Sequence, residues 1–401
     1  MDYTNLARNQ DVCQTGLIFE IGSLYAYFQR VRDTRKAKGK RYPMVVLLLV
    51  MLLAKLSGED TPSGIADWVA HRIEALYAMK VLPRRQAPSH MTYRRVLQDA
   101  LQPEEFERLI SEFQRSRYKS GQEIVFSMDG KTLKGSIPGR ELRGTHLLSI
   151  FVPQQGLVLI EAQVDRKENE IVVAPKILQQ VPLSGAIVIG DAMHAQREAS
   201  QQIVRAGGDY VWTIKGNQPR TEWAIQKLFV HEVCNLKQGA PLSKQCQRIV
   251  RVHKAHGRIE KRTLLSSTEL NDYLDWPAVT QVFRLEREVW DSRYPGRRRE
   301  VVYGLTSLSP EEAPPEKLLA LTRQYWAIEN GLHYRRDVTL KEDATRLTVG
   351  GSGHNMAILN NLVVSLCLQA GLNNLAKARR LFIAKPNLAL ELITSSGFPF
   401  L

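Results

Sequence analysis

The sequence predicts an α/β protein, in which a core of strands and helices carries a β-rich insertion and follows a helical amino-terminal part. Two apolar, β-branched runs each end in an aspartate, at 124–129 and at 186–191. Residues 1–120 instead carry apolar side chains at helical spacing, and 231–310 changes to short β-like runs. Strands that alternate with helical segments in this way predict a sheet covered by helices.

The elements of the sheet follow one another in a recognisable order. The first strand is ended by the Asp129-Gly130 pair, and Asp191 stands at a strand-to-helix turn. The predicted strands are 124–128, 186–189, 209–214 and two runs on either side of a turn at 153–156. One helix is predicted over 169–181, despite Pro175, and another over the segment that ends at Gly207. Three strands, a helix, a strand, a helix and a strand is the order of a ribonuclease H-like fold.

A third acidic residue, Glu329, lies far downstream in a predicted helix over 322–340. At about 100° per residue, Glu329 shares a face with Trp326, His333 and Arg336, beside an apolar stripe that the protein can bury. The helix can therefore present Glu329 to the two aspartates.

Asp129, Asp191 and Glu329 are the candidate catalytic and metal-binding residues. Three carboxylates that converge from separate elements would repel one another without cations, and hard oxygen ligands suit Mg²⁺, with Mn²⁺ as a substitute. Two such ions about 4 Å apart would activate an attacking oxygen and stabilise a leaving oxygen. This pattern indicates phosphoryl-transfer chemistry on DNA.

Each of these acids also has a purely structural explanation. An Asp-Gly pair after a strand commonly forms a turn, Asp191 could cap a helix, and Glu329 could lie on a solvated face. The joint placement of all three in the ribonuclease H-like order favours the catalytic interpretation. A rival acidic cluster follows Glu329, with Asp337 as the alternative third acid; its members are Asp337, Glu342 and Asp343.

Four segments carry a resemblance to a known family. They are DGKTLKGS at 129–136, GDAMHAQRE at 190–198, DYVWTIKGNQ at 209–218 and RQYWAIENGLHYRRDVTLKEDATR at 323–346. In these segments the chain resembles the DDE transposases of bacterial insertion sequences, within the retroviral-integrase-like superfamily, and especially the branch that includes the H-repeat-associated proteins. Two residues depart from the family pattern, since Tyr334 stands where Trp is common and Arg336 where an aliphatic residue is common.

The resemblance implies a function. It assigns the three DDE acids to Asp129, Asp191 and Glu329, and it implies metal-dependent cleavage at transposon ends followed by strand transfer into target DNA. The partners would be double-stranded DNA and further copies of the chain, in a homodimer or larger synaptic complex. A DNA-binding relative that has lost cleavage, or a nuclease without strand transfer, remains an alternative.

Basic and polar side chains around the acids could hold phosphates. The candidates are Lys131, Lys134, His194, Lys215, Asn217, Arg297, Arg298, Arg299, Arg323, His333 and Arg336. The arginines at 297–299 belong to a predicted basic hairpin turn. His194 could instead orient Asp191 or make only a local hydrogen bond, and the cationic candidates could be solvated surface charges.

Four parts of the chain are predicted. Residues 1–120 form a helical amino-terminal domain with possible DNA-end recognition, 121–230 the first part of the catalytic core, 231–310 the β-rich insertion and 311–401 a helical part that carries the third acid. A helix over 61–82 and a second helix after Ser89 could form a helix-turn-helix-like reader or only a scaffold. The basic run at 30–41 could be a solvated face or a phosphate-binding arm.

Composition agrees with a nucleic-acid partner and a reducing cytosol, which the resemblance implies is the nucleoid-associated cytosol of a bacterium. The 401 residues include 55 basic and 41 acidic side chains, a net charge of +14 that favours approach to a polyanion. The four cysteines show no paired spacing, so neither a zinc site nor a disulfide framework is expected. The first ten residues lack an apolar signal core, and the run Met44–Ala54 is too short to span a bilayer, so it is predicted to be a buried core helix.

Overall fold

The structure is a computed structural model, which describes residues 9–121, 123–137, 144–165, 168–255, 257–291 and 294–397. Most of the first ten residues, on which the signal-sequence expectation depends, lie outside these ranges. The chain divides into two compact units. The first unit comprises Met1–Lys119, Gly130–Asp165 and Glu329–Leu401, and the second comprises Ser120–Asp129 and Arg166–Ile328.

The structure has both strands and helices throughout the described residues. The strands are β1 (Gln10–Val12), β2 (Ile18–Glu20), β3 (Ile124–Thr132), β4 (His146–Val152), β5 (Leu157–Val164), β6 (Ala186–Gly190), β7 (Asp209–Ile214), β8 (Cys246–Ala255), β9 (Arg258–Ser267), β10 (Gln281–Asp291) and β11 (Tyr294–Thr306). The α-helices are α1 (Leu24–Gln29), α2 (Met44–Leu56), α3 (Pro62–Ala70), α4 (Ile73–Ala78), α5 (His90–Arg95), α6 (Pro103–Arg117), α7 (Glu170–Leu178), α8 (Arg197–Arg205), α9 (Pro219–Lys237), α10 (Pro315–Ile328), α11 (Ser352–Gln369), α12 (Leu375–Ala384) and α13 (Pro386–Thr394).

The sheet combines parallel and antiparallel strand pairs. In the second unit, β3, β6 and β7 are parallel neighbours, and β11, β10, β9 and β8 continue the sheet in antiparallel pairs. In the first unit, β4 and β5 form an antiparallel hairpin, and β4 neighbours β3, which passes from the second unit into the first. The ribonuclease H-like element order is confirmed, with the antiparallel strands β8–β11 between β7 and α10.

Two predicted boundaries differ from the structure. β3 extends to Thr132 instead of ending at Met128, because the chain remains paired beyond the Asp-Gly step: the backbone N–H of Leu133 donates to Thr145 O at 2.8 Å. The single helix predicted over 61–82 is divided into α3 and α4, because Arg72 leaves the helical conformation with φ −125° and ψ 18°.

Each unit has its own apolar core. In the first unit, α2 is buried along nearly its whole length, which confirms the prediction of a core helix at Met44–Ala54. Most of α11 is buried as well. In the second unit, the core lies between the sheet and α10; its members include Val125, Ile189, Val211, Phe283, Leu318 and Leu321. No helix among the described residues is both long and apolar enough to cross a membrane.

Candidate metal and nucleic-acid site

Asp129 and Asp191 occupy equivalent places on two neighbouring parallel strands. Met128 of β3 pairs in register with Gly190 of β6, so each aspartate follows the same rung of the ladder. Neighbouring strands lie about 4.8 Å apart. The second unit therefore brings the two predicted acids to adjacent positions at the carboxyl end of the sheet.

The turn after β6 fixes one oxygen of Asp191. Its Oδ1 accepts hydrogen bonds from the backbone N–H groups of Met193 at 2.9 Å and His194 at 3.3 Å. Gly190 allows this turn, because a Cβ at that position would lie 2.9 Å from the Trp212 ring. Asp191 thus caps the short 3₁₀ turn that follows, and its side chain remains 38% exposed.

His194 lies beneath this turn and not at the surface. Its side chain has no solvent exposure, and its Nε2 lies 3.1 Å from Glu170 Oε2 and 3.8 Å from Asp191 Oδ1. The predicted phosphate contact does not fit a buried ring. Only the backbone N–H of His194 donates to Asp191, whereas the two ring nitrogens form no hydrogen bond with the residues that the structure describes.

The loop after β7 supports the same turn. Asn217 Nδ2 donates a hydrogen bond to Ala192 O, and Gln218 Nε2 donates to Ala195 O at 3.1 Å. The amide of Asn217 is therefore engaged within the protein. Lys215 is exposed at the end of β7, and Arg323 is exposed on α10, so both remain available to a phosphate.

Helix α10 runs along β3 toward Asp129. Within the second unit, Ser127 Oγ donates to Gln324 O at 3.3 Å, and the Tyr325 hydroxyl lies 3.5 Å from Asp129 Oδ1. The helix ends at Ile328, immediately before Glu329. Tyr325 and Glu329 are four residues apart, which is the spacing of neighbours on one helical face.

Glu329 begins a π-helical segment, Glu329–His333, which a second such segment follows at Arg335–Thr339. In the first unit, an oxygen of the exposed Glu329 and a ring nitrogen of the buried His333 lie within 4.8 Å of each other. The sequence assigned His333 only to DNA contact. Its spacing of four residues from Glu329 was the signal in the sequence that His333 could instead bind a metal ion together with Glu329.

The predicted common face of Trp326, Glu329, His333 and Arg336 is wrong. Trp326 is 52% exposed, whereas Arg336 is fully buried. The physical reason is the change from α-helical to π-helical turns, since an i→i+5 hydrogen-bond pattern advances the chain by a smaller angle per residue.

Arg336 is the centre of a buried ion cluster in the first unit. Its Nη1 donates to Glu161 Oε2 at 2.6 Å and to Asn361 Oδ1 at 3.1 Å, and its Nε donates to Glu342 Oε2 at 2.8 Å. Burial alone would raise the pKa of Glu161, but the guanidinium holds that pKa below its usual value. A guanidinium without accessible surface cannot reach DNA, so the predicted contact of Arg336 with phosphate does not fit.

The rival acidic cluster is neutralised within the first unit. Lys131 Nζ pairs with the Asp337 carboxylate and lies 3.8 Å from Asp343 Oδ1. Lys131 is only 8% exposed, so its predicted phosphate contact does not fit either. The exposed Lys134 Nζ lies 3.4 Å from Asp343 Oδ2 and remains accessible to DNA. Asp337 and Asp343 therefore already have cationic partners within the first unit.

The arginines at 297–299 lie in β11, in the second unit, and line a cavity of about 440 Å³. Arg297 pairs with Glu288 and stands over the Trp290 ring at 5.4 Å. Arg299 pairs with Glu286. The cations predicted at a hairpin tip are thus compensated in part by carboxylates of the neighbouring strand.

Donors suited to a divalent ion are present in both units. In the second unit they are the carboxylates of Asp129 and Asp191, and in the first they are Glu329 and His333. Carboxylate oxygens suit both Mg²⁺ and Mn²⁺. An imidazole nitrogen is a better ligand for Mn²⁺ than for Mg²⁺.

Comparison with known proteins identifies related sequences. The family model described as "Transposase DDE domain" matches residues 120–365, and the model described as "DDE_Tnp_1-associated" matches residues 25–114. The "Putative protein YbfL" of Escherichia coli (strain K12) is 26% identical over 354 residues, which covers 86% of this chain and 90% of that protein. The "H repeat-associated putative transposase YhhI" of the same strain is 25% identical over 354 residues, with the same two coverages. An "Uncharacterized protein in dhlA 3'region" of Xanthobacter autotrophicus is 30% identical over 268 residues, or 65% of this chain and 86% of that protein.

Proposed function

Because the chain belongs to the family of transposases with a DDE domain, we propose that it cuts DNA at the ends of a transposon and transfers the exposed 3′-hydroxyls into target DNA. Asp129, Asp191 and Glu329 are the acids of the proposed site. Both steps are the same in-line displacement at phosphorus, so one set of residues serves for cleavage and for joining.

The observation that carries this proposal is the register of β3 and β6. Met128 and Gly190 pair directly, so the two aspartates that follow them reach the same edge of the sheet. If the two aspartates only formed a turn and a helix cap, they would not need to follow residues that pair with each other in the sheet. The hydrogen bonds to Asp191 Oδ1 give this carboxylate a fixed orientation before any ligand binds.

Two contacts support Glu329 as the third acid. Tyr325 of α10 reaches Asp129 in the second unit, and Glu329 follows Tyr325 by four residues. In the first unit, Lys131 pairs with Asp337, which ties the strand just beyond Asp129 to the segment just beyond Glu329. On these grounds Glu329 is the proposed third acid.

The family uses a divalent metal, and the donor set fits two Mg²⁺ ions, with Mn²⁺ as a substitute. When bound, the ions would supply the charge that activates the attacking oxygen and stabilises the leaving oxygen. Asp129 and Asp191 would hold both ions, and Glu329 would complete one site. Lys134, Lys215 and Arg323 would hold the flanking phosphates, while the backbone N–H groups of Met193 and His194 would maintain the orientation of Asp191.

The proposal extends to partners and organisation. Pairing two transposon ends requires a homodimer or larger synaptic complex on double-stranded DNA in the bacterial cytosol. The catalytic core would comprise 121–230 and 311–401, the β-rich insertion would be 231–310, and 1–120 would recognise DNA ends.

The proposed function is tested with purified protein, Mg²⁺ and a duplex that carries the inverted repeats flanking the gene. Cleavage at the repeat boundary followed by joining to a second duplex supports the proposal. Cleavage without joining would indicate a nuclease, and binding without cleavage would indicate a DNA-binding relative. Either of these results, obtained with Mg²⁺ and with Mn²⁺, would overturn the proposed strand transfer.

A further inference from the structure

A cationic cavity of about 700 Å³ lies within the amino-terminal part of the first unit. Its walls come from the segment 34–42 and from residues 86–100 around α5. Five of the lining residues are basic and one is acidic; they are Arg35, Lys36, Lys38, Arg41 and Arg95, with Asp99. The cavity is therefore strongly positive.

The segment 34–42 is a fixed wall of this cavity. Thr34 Oγ1 donates to Ala100 O at 2.9 Å, and the Tyr42 hydroxyl donates to Gln86 O at 2.9 Å. Arg35 Nη2 donates to Tyr42 O at 2.7 Å and to Asp33 Oδ2 at 2.9 Å. These hydrogen bonds attach the segment at one end to Ala100 and at the other end to Gln86, so it is not a detached arm.

The four other cations have no carboxylate partner among the residues that the structure describes. Lys36, Lys38, Arg41 and Arg95 are exposed, and none forms an ion pair within that part of the chain. Cations that share a concave surface repel one another and concentrate the positive potential at its mouth. A polyanion relieves this repulsion and releases its own counterions on binding.

The cationic cavity of the second unit differs in this respect. Its residues Arg297 and Arg299 pair with Glu288 and Glu286 on the adjacent strand. Such pairs reduce the potential available to a phosphate, because each carboxylate competes with it for the same donors. Uncompensated charge therefore favours the amino-terminal cavity as the stronger phosphate-binding surface.

We propose that the amino-terminal cavity binds the sugar-phosphate backbone of duplex DNA, with Lys36, Lys38, Arg41 and Arg95 as the phosphate contacts. The inference rests on the proposed function, because a transposase must also bind the DNA on either side of the phosphodiester that the acids act on. Tyr42 and Arg35 are positioning residues that fix the wall. The DNA could be the transposon's own end or the target, since both present the same backbone.

The test measures DNA binding without cleavage. Wild-type protein and the variant Lys36→Ala, Lys38→Ala, Arg41→Ala, Arg95→Ala are titrated by fluorescence anisotropy, in EDTA and over a range of KCl, against a terminal-repeat duplex and an unrelated duplex. Each lost phosphate contact should reduce the slope of log Kd against log [KCl] by about 0.9, so the slope should fall by about 3 to 4. At low salt, binding should weaken by about tenfold or more.

A matched control removes four exposed cations from elsewhere in the same unit. The control variant is Lys119→Ala, Lys377→Ala, Arg380→Ala, Lys385→Ala. It should leave the slope near the wild-type value, which separates a specific site from general charge. The single variant Lys38→Ala should reduce the slope by about 1 and leave the thermal midpoint unchanged. This result would show that weaker binding comes from a lost phosphate contact and not from a loss of folded protein.

The outcomes are distinct. A loss confined to the terminal-repeat duplex assigns the cavity to the transposon end, and an equal loss with both duplexes assigns it to sequence-independent backbone binding. A wild-type slope in the fourfold variant, or an equal effect of the control variant, overturns the inference. Because no cleavage is measured, a failure of the proposed strand transfer does not alter this result.

Discussion

Replacing Arg336 with methionine would leave two buried carboxylates, Glu161 and Glu342, without their guanidinium partner. Arg336 and Glu161 are both fully buried, and Nη1 of Arg336 lies 2.6 Å from Glu161 Oε2. Breaking such a pair from one side costs about 3–5 kcal/mol, because an uncompensated charge remains inside the protein. Methionine retains much of the aliphatic length, so the lost charge dominates over a cavity.

The loss depends on pH in a defined direction. In the wild type, the pKa of Glu161 is held below its usual value, so the stabilisation is present above about pH 4.5 and is lost as the pH falls through that lowered pKa. In Arg336→Met, burial raises the pKa of Glu161, so its charged form destabilises the protein at neutral pH. The difference between wild type and variant should therefore be larger at pH 7 than at pH 5.

The assay is differential scanning calorimetry at pH 5 and pH 7. The variant's thermal midpoint should be lower by roughly 5 °C or more at pH 7. Arg380→Met, which removes an exposed guanidinium from α12, is the control and should change stability by no more than about 0.5 kcal/mol. Adding Glu161→Gln to Arg336→Met should recover part of the loss, because the second change removes one of the two unpaired charges.

A wild-type midpoint in Arg336→Met at pH 7 would refute the reasoning. A loss of equal size at both pH values would also contradict it, since that result would indicate a packing effect and no charge effect.

Two further results are expected. Changing the three arginines at 297–299 to Ala should weaken DNA binding and reduce the salt slope by less than the fourfold cavity variant does, because Arg297 and Arg299 are already paired with carboxylates of the neighbouring strand. An unchanged slope in the anisotropy titration would remove this strand from the interface. For His354, burial alone would lower the pKa, but the contact with Glu107 raises it above its usual value. The resulting stabilisation is present below about pH 6.5 and is lost as the pH rises through the raised pKa. His354→Gln should therefore lower the thermal midpoint more at pH 6 than at pH 8.5. A larger effect at pH 8.5 would contradict this assignment.

The positions of Asp129 and Asp191 could be predicted because local signals determine them. A β-branched run ended by Asp-Gly, and another that leads into a helix, are both readable within about ten residues. Parallel pairing of β3 and β6 then follows from the order of the elements. For this reason the sheet and its carboxyl edge agreed with the sequence-based expectation.

The environment of Arg336 could not be predicted in the same way. Its partner Glu161 lies 175 positions earlier in the chain, on β5. The segments Glu329–His333 and Arg335–Thr339 form π-helical turns, whereas helical periodicity assumes a constant angle per residue. A face calculated from the α-helical angle therefore placed a buried arginine at the surface.

Long-range contacts also determine the character of the basic segments. The run at 30–41 gains a fixed form because Tyr42 bonds to Gln86, and the arginines at 297–299 lose part of their effective charge to the adjacent strand. From the sequence alone, both basic runs could be either solvated surface charges or phosphate-binding segments. Only their partners distinguish them.

The central claim is that three carboxylates act together on one phosphodiester. The most direct measurement compares Mg²⁺-dependent cleavage of a terminal-repeat duplex by wild type, Asp129→Asn, Asp191→Asn and Glu329→Gln, with DNA affinity recorded in parallel. Each isosteric change should abolish cleavage while binding is largely retained, because the amide keeps the shape and loses the charge that holds the ions. Normal cutting by any one of the three variants would contradict the assignment of that residue.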